Sequence, residues 1–406
     1  LSIADGAIES LTNIVTRLQE LAEQAANGTY GNTQRKALDA EAQALSKEYS
    51  RIAQSTEFNR TSVLNGNLGS GMNLVAGTSS ILAGVGGDIG TGTVQSRVSF
   101  ATGTRPAYVA TGDFNGDGIT DIVAADYVSL ALSVMLGNGD GSFKARTDSP
   151  TTNVPYTVAT ADMNGDGNLD LLTADGGGNS VSVYLGNGDG TFKNFTSFAA
   201  GAAVRGVTAN DLNGDGYMDL ITADNTDSKV SVLLGNGNGT FKARTSFISG
   251  ANPTAVKTGD FNGDGIVDIV SCNYSGNSLS VFIGNGNGSF KASVQYFAGI
   301  DAYQVVVADI NNDGILDLAN TDLGDGSFSV FIGNGNGTFK ARVSVTGALS
   351  ASGLTAADMN GDGLVDMIMS DASNATVNIF IGNGNGTFQS GTSFTTGSIP
   401  RSVAAI

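Results

Sequence analysis

Apolar residues along the first quarter of the chain recur at helical spacing. Ile8, Leu11, Val15, Leu18, Ala22 and Ala25 follow one another by steps of three and four, a heptad seam closed by Asn27-Gly28. Leu38, Ala42, Leu45, Tyr49 and Ile52 form a second seam over about residues 33–55. The short polar run Gly28–Asn32 predicts that the two helices fold back as a coiled-coil hairpin. Two such seams enclose little apolar area, so they call for further helices from the chain or from neighbouring copies.

Beyond residue 97 the pattern changes to short runs of Val, Ile and Leu separated by Asp, Asn and Gly. The string D-x-N-x-D-G-x-x-D starts at Asp113, Asp162, Asp211, Asp260, Asp309 and Asp358, always 49 residues apart. Gly-Asn-Gly-x-Gly keeps the same phase from Gly137 to Gly382, and a Phe follows it in every unit. In the second unit, strand signals cover Tyr156–Thr160, Leu169–Ala174 and Val181–Leu185, the last running into an Asn-Gly turn. Four short strands per repeat of this length predict a propeller blade.

The expected architecture is therefore multidomain, α followed by all-β. Residues 1–66 form a helical segment, 67–96 a Gly/Ser/Thr-rich linker, and 97–406 a β-propeller. Counted from Arg97, that propeller has six full 49-residue blades, and Gly391–Ile406 begins a seventh that is cut short. With Leu1 in place of a Met, the chain reads as a fragment.

Charge divides at the same boundary. Residues 1–90 carry 9 acidic and 6 basic side chains; residues 91–406 carry 29 Asp, no Glu, and 14 Lys or Arg. A net charge of −18 argues against a nucleic-acid partner, which needs a basic footprint. The chain has no His, which removes the histidine-based triads and zinc sites, and the Asp residues are mostly committed to repeats, so no enzyme is expected. Cys272 stands where other repeats have Ala and reads as a buried filler. No apolar run is long enough to span a membrane.

The repeated nonapeptides are candidate calcium loops. Calcium takes hard oxygen ligands from a tight turn, and here side-chain oxygens stand at loop positions 1, 3, 5 and 9, with a backbone carbonyl at 7. The first loop offers Asp113, Asn115, Asp117, Ile119 and Asp121; the second Asp162, Asn164, Asp166, Asn168 and Asp170; the third Asp211, Asn213, Asp215, Tyr217 and Asp219. The fourth has Asp260, Asn262, Asp264, Ile266 and Asp268; the fifth Asp309, Asn311, Asp313, Ile315 and Asp317; the sixth Asp358, Asn360, Asp362, Leu364 and Asp366. One Ca²⁺ per loop, six in all, would neutralise most of the negative charge of residues 91–406. Position 2 is apolar in every loop and expected to pack inward, and Asn312 replaces the Gly of position 4 in the fifth loop, where a left-handed backbone is expected. The competing reading is that Asp, Asn and Gly simply cap turns. Asp126, Asp175, Asp224, Asn273, Asp322 and Asp371, each ending a strand, read as turn residues, and the Gly-Asn-Gly-x-Gly segments as hairpin turns rather than phosphate cradles.

Two family resemblances follow. Arg17–Thr29 (RLQELAEQAANGT), Gln34–Leu38 (QRKAL) and Arg51–Asn59 (RIAQSTEFN) resemble the amino-terminal inner domain of bacterial flagellin. That resemblance implies an extracellular filament subunit of the bacterial flagellum, exported without a cleaved signal and partnered by other flagellin subunits. It also implies that Arg17, Leu21 and Glu41 match positions gripped by a flagellin-sensing Toll-like receptor. The repeats from Arg97 onward resemble the FG-GAP/VCBS family, whose blades form seven-bladed calcium-binding propellers. Together they imply a flagellar filament subunit displaying a calcium-stabilised propeller as its outer domain. The alternative is a propeller adhesin or ligand-binding protein on a helical oligomerisation stalk.

Overall fold

A computed structural model describes Val98–Ala405 in full, the backbone of four short strands (Glu57–Phe58, Thr61–Ser62, Met72–Ala76 and Ser80–Val85), and Arg17 within a helix. The helical hairpin expected over residues 1–66 lies otherwise outside the described residues. Contacts divide the chain into Leu1–Ser70 and Gly71–Ile406. In the first unit, Glu57–Phe58 pairs antiparallel with Thr61–Ser62.

The second unit is a β-propeller. Six four-stranded antiparallel sheets follow one another, each meandering outward from its first strand. In the first blade Pro106–Gly112 is innermost, followed by Asp121–Asp126, Ala131–Met135 and Thr147–Pro150. The second strand is buried along its whole length because neighbouring sheets cover both faces, which explains its continuous apolar run. The outermost strand alternates little and is mostly exposed. Cores form between adjacent sheets: Phe261, Val270 and Cys272 of one blade pack with Val305 and Leu318 of the next. Cys272 is a fully buried member of that core, and burial pushes its thiol pKa well up, as expected of an inert filler.

Two expectations are corrected here. The blades do not follow the phase counted from Arg97: each sequence unit's first strand, such as Val98–Ala101, is the outer edge of the preceding sheet. Nor are residues 67–96 only a linker before a propeller cut short in its seventh blade. Ser402–Ala405 pairs with Met72–Ala76, which pairs with Ser80–Val85, which pairs with Val98–Ala101. These strands make a seventh four-stranded sheet. Its innermost strand, Ser402–Ala405, packs between Ala351–Ala357 and Pro106–Gly112 and closes the ring. The physical reason is apolar burial: closing the ring covers the sheet faces that an open propeller would expose.

Candidate functional site

Each nonapeptide turns between the inner strand and the second strand of a blade. In the first loop, the Asp113 carboxylate accepts backbone N–H groups from Gly116 (2.8 Å), Gly118 (2.8 Å), Asp117 (3.2 Å) and Asn115 (3.3 Å). Asn115 Oδ1 accepts from the Asp117 N–H at 2.9 Å, and Asp117 Oδ1 accepts from the Ile119 N–H at 2.8 Å. Such convergence needs left-handed backbone at Gly116 (φ 71°) and Gly118 (φ 78°), which Gly adopts without a Cβ clash. In the fifth loop Asn312 takes φ 60°, as the sequence led us to expect. In every other loop, too, the position-6 Gly N–H donates to the first carboxylate, at Asp162, Asp211, Asp260, Asp309 and Asp358.

Position 2 anchors the loop. Phe114, Met163, Leu212, Phe261, Ile310 and Met359 are all buried, which bears out their inward packing. The carbonyl of Phe114 also accepts the N–H of Gly190 in the next blade at 2.9 Å.

The ninth-position carboxylate is a buried brace. Asp121 is fully buried and accepts the Phe114 N–H at 2.8 Å and the Gly137 N–H at 2.7 Å. It thereby ties the loop to the Gly-Asn-Gly-x-Gly turn, which is a hairpin bridged from Gly137 to Phe143. Asp170, Asp219, Asp268, Asp317 and Asp366 repeat the arrangement. Burial raises their pKa values against these N–H bonds, and the charges of the loop's other Asp residues raise them further; Asp170 reaches about 6. At half-buried Asp113, by contrast, burial pushes upward but the four N–H bonds outweigh it and hold the carboxyl below its ordinary value.

The loop thus brings its side-chain donors onto one short turn, and hard Asp and Asn oxygens are the right chemistry for calcium. Among the described residues it does not gather three carboxylates into a single metal cluster. The first and fifth carboxylates face backbone N–H groups, and the ninth is held in the interior. The backbone N–H groups of Ile119, Tyr217, Ile266, Ile315 and Leu364, and that of Asn168, all donate to the fifth-position Asp.

The strand-ending acids, read from the sequence as turn residues, sit in the interior. Asp126, Asp175, Asp224, Asn273, Asp322 and Asp371 are fully or almost fully buried. Asp175 accepts hydroxyls from Thr173, Ser180 and Ser182 at 2.9, 3.1 and 2.6 Å. Burial lifts Asp126 to about 6 even though Ser133 and the Gly103 N–H donate to it. The signal was present as a Ser at 133, 182, 231, 280 and 329, in phase with those acids.

Sequence reasoning also missed the channel. The inner strands surround a cavity of about 760 Å³. Near its end at the strand beginnings stand Ala107, Tyr156, Arg205, Thr254, Tyr303, Ser352 and Arg401, one from each blade. They are 49 residues apart, yet neighbours never match. Variation at a fixed phase was the available clue. Of the three positions matched to a receptor-binding face, Arg17 is helical and half-buried, while Leu21 and Glu41 lie outside the described residues.

Among the described residues, no helix is long and apolar enough to cross a membrane. The family model for FG-GAP-like repeats matches residues 113–173, 162–222, 211–271, 260–320, 321–369 and 358–406. The model for the bacterial flagellin N-terminal helical region matches residues 1–68. Flagellin A of Vibrio anguillarum is 40% identical over 89 residues, covering 20% of this chain and 24% of that flagellin. Flagellin B of Vibrio cholerae serotype O1 is 42% identical over 67 residues, covering 16% and 18%. The chain therefore spans about a quarter or less of these relatives. A putative 6-phosphogluconolactonase of Bacteroides uniformis has a TM-score of 0.63 at 16% identity, covering 83% of this chain and all of that one. An Agrocybe aegerita lectin that recognises non-reducing terminal N-acetylglucosamine has a TM-score of 0.54 at 20% identity, covering 81% and 90%. At such identities the likeness is of fold alone.

Proposed function

This chain belongs to the FG-GAP-like repeat family, and we propose that it is part of a bacterial flagellar filament subunit carrying a calcium-stabilised propeller as its outer domain. The observation that carries this reading is the joining, in one chain, of a flagellin-type helical region over residues 1–68 to the repeats. In this reading the helical seams pair with those of other flagellin subunits outside the cell, and the propeller is displayed. Immunogold labelling of cells with antibodies raised against residues 97–406 tests it. Gold is expected along flagellar filaments. Gold confined to the cell envelope would defeat the filament reading and favour an adhesin.

Calcium enters as the second part of the proposal. Positions 1, 3, 5 and 9 of each loop, with the carbonyl at position 7, would hold it, and its charge would offset the three carboxylates of each loop. The loops' own residues supply the tight turn and the buried anchor whether or not an ion is present. Supporting the ion is the position of Asp219, whose carboxyl is raised by burial and then by the charges of Asp215 and Asp211. Calorimetric titration should register calcium uptake; its absence at millimolar calcium would leave the Asp residues as turn caps.

A further inference from the structure

The Asp loops leave the opposite end of the channel unexplained, and its chemistry runs against the rest of the chain. The protein has 38 acidic and 20 basic side chains. Yet the charged residues lining the 760 Å³ channel cavity are Arg105, Arg205, Lys257 and Arg401, with no carboxylate among the described lining residues. A second cavity of about 550 Å³ adjoins it at the strand beginnings and shares Arg205, Thr254, Tyr303, Ser352 and Arg401.

These cations are positioned. Arg205 lies 4.1 Å from the centroid of the Tyr156 ring, and Arg105 lies 5.3 Å from that of Tyr127. Tyr127 and Tyr156 meet edge to face at 5.3 Å, so Arg105, Tyr127, Tyr156 and Arg205 form one continuous run of contacts. A guanidinium placed over a ring face is attracted by the ring without using its N–H donors, which stay available for a planar acceptor. The Arg205 Nε is buried, with no hydrogen-bond partner among the described residues. A buried donor without a partner is costly to keep.

The same walls carry acceptors. Thr254 Oγ1 donates to the Tyr303 carbonyl at 2.6 Å, and Ser352 Oγ donates to the Pro400 carbonyl at 2.8 Å. With their protons spent on the backbone, both hydroxyl oxygens can accept; Ser352 Oγ already takes the Ser370 hydroxyl at 3.1 Å and keeps a second lone pair. A crossbar spans the channel in the same region: Gln304 Nε2 donates to Tyr108 Oη at 2.8 Å, and Gln304 Oε1 accepts the Leu354 N–H at 2.9 Å.

We propose that this mouth binds a carboxylated sugar. Its carboxylate would take the forked donors of Arg205 and Arg401, and its hydroxyls would donate to Thr254 and Ser352. Planar guanidinium donors match the fork of a carboxylate, and hydroxyl acceptors select a ligand that also carries O–H groups. This site is independent of calcium and of filament assembly.

Isothermal titration of the full chain with glucuronate tests it, with glucose and inorganic phosphate as separate arms. Saturable glucuronate binding is expected, with glucose and phosphate each weaker by at least about tenfold. Arg205→Gln should weaken glucuronate by about tenfold at an unchanged melting temperature, and Arg205→Lys by less, since it keeps charge but loses the fork. If Arg205→Gln fails to fold, Arg401→Gln, an exposed position, is read in its place. No saturable glucuronate binding, equal binding by the Gln variant, or phosphate binding as tightly as glucuronate would each overturn the proposal.

Discussion

Where the inner strands run into their Asp loops, six blades repeat the same residues; at the register position of Ala107, near the other end of those strands, no two neighbouring blades agree. Asp121 and its five counterparts each hold at least two backbone N–H groups, three at Asp317, in an environment where substitution would orphan them. Arg205, Tyr156 and Ser352 occupy one shared register position, and the blades holding them fold alike. The contrast separates the two jobs of a repeat. One end of the strand satisfies backbone polarity and is bound to a fixed chemistry; the other faces a cavity and is free to differ.

Calcium withdrawal should give the widest gap between the two ends. With calcium tenfold above its dissociation constant, each occupied loop gains about 1.4 kcal/mol, and six independent loops about 8 kcal/mol. A chelator should therefore lower the melting temperature strongly while leaving glucuronate affinity at 25 °C unchanged for the molecules still folded. An unaltered melting temperature would remove the ion from the account of the loop face.

Single substitutions come next. Asp219→Ala strands the buried N–H groups of Leu212 and Gly235 and should cost about 3 kcal/mol in denaturant unfolding. Arg401→Gln at the opposite mouth should stay within about 0.5 kcal/mol of the parent. Equal costs would dissolve the distinction.

Acidity offers a finer comparison. Burial raises Asp126 and Asp170 from 3.8 to about 6, so the folded state binds more protons than the unfolded chain between those values. Their contribution is thus more favourable at the acidic end of that window and is lost as pH rises through about 6. In calcium-free buffer the melting temperature should rise as pH falls from 7 towards 5, and Asp126→Asn should flatten the trend. A melting temperature that falls steadily over that range would contradict it. The smallest effect should come from Asn312→Gly, which relieves a left-handed Asn and should stabilise by about 0.5 kcal/mol or less.

Much of the loop face was legible because its physics is local. A nonapeptide with Gly at the positions of positive φ declares its turn, and an apolar residue at position 2 declares its burial. The brace from Asp121 to Gly137 was not legible, since it spans 16 residues and depends on sheet register. Closure of the ring was hidden for a stronger reason. Met72–Ala76 and Ser80–Val85 lack the Asp loop that marks the other blades, so nothing local identifies them as strands of the same kind. The channel mouth was overlooked because Arg205 and Tyr156 each look ordinary alone; only the fold brings their rings and charges together.

Ring closure also brings the two flanks of the propeller together. Asn73 and Ala405 are facing partners in an antiparallel pair, so their Cα atoms stand about 5 Å apart. A polypeptide entering at one departs beside the other. Whatever precedes and follows can then be bridged by some 330 residues with almost no change in the distance between the flanks. A host structure under tension would carry its load past this doorway, and only a force spreading the doorway itself would peel the closing strands apart, one hydrogen bond at a time.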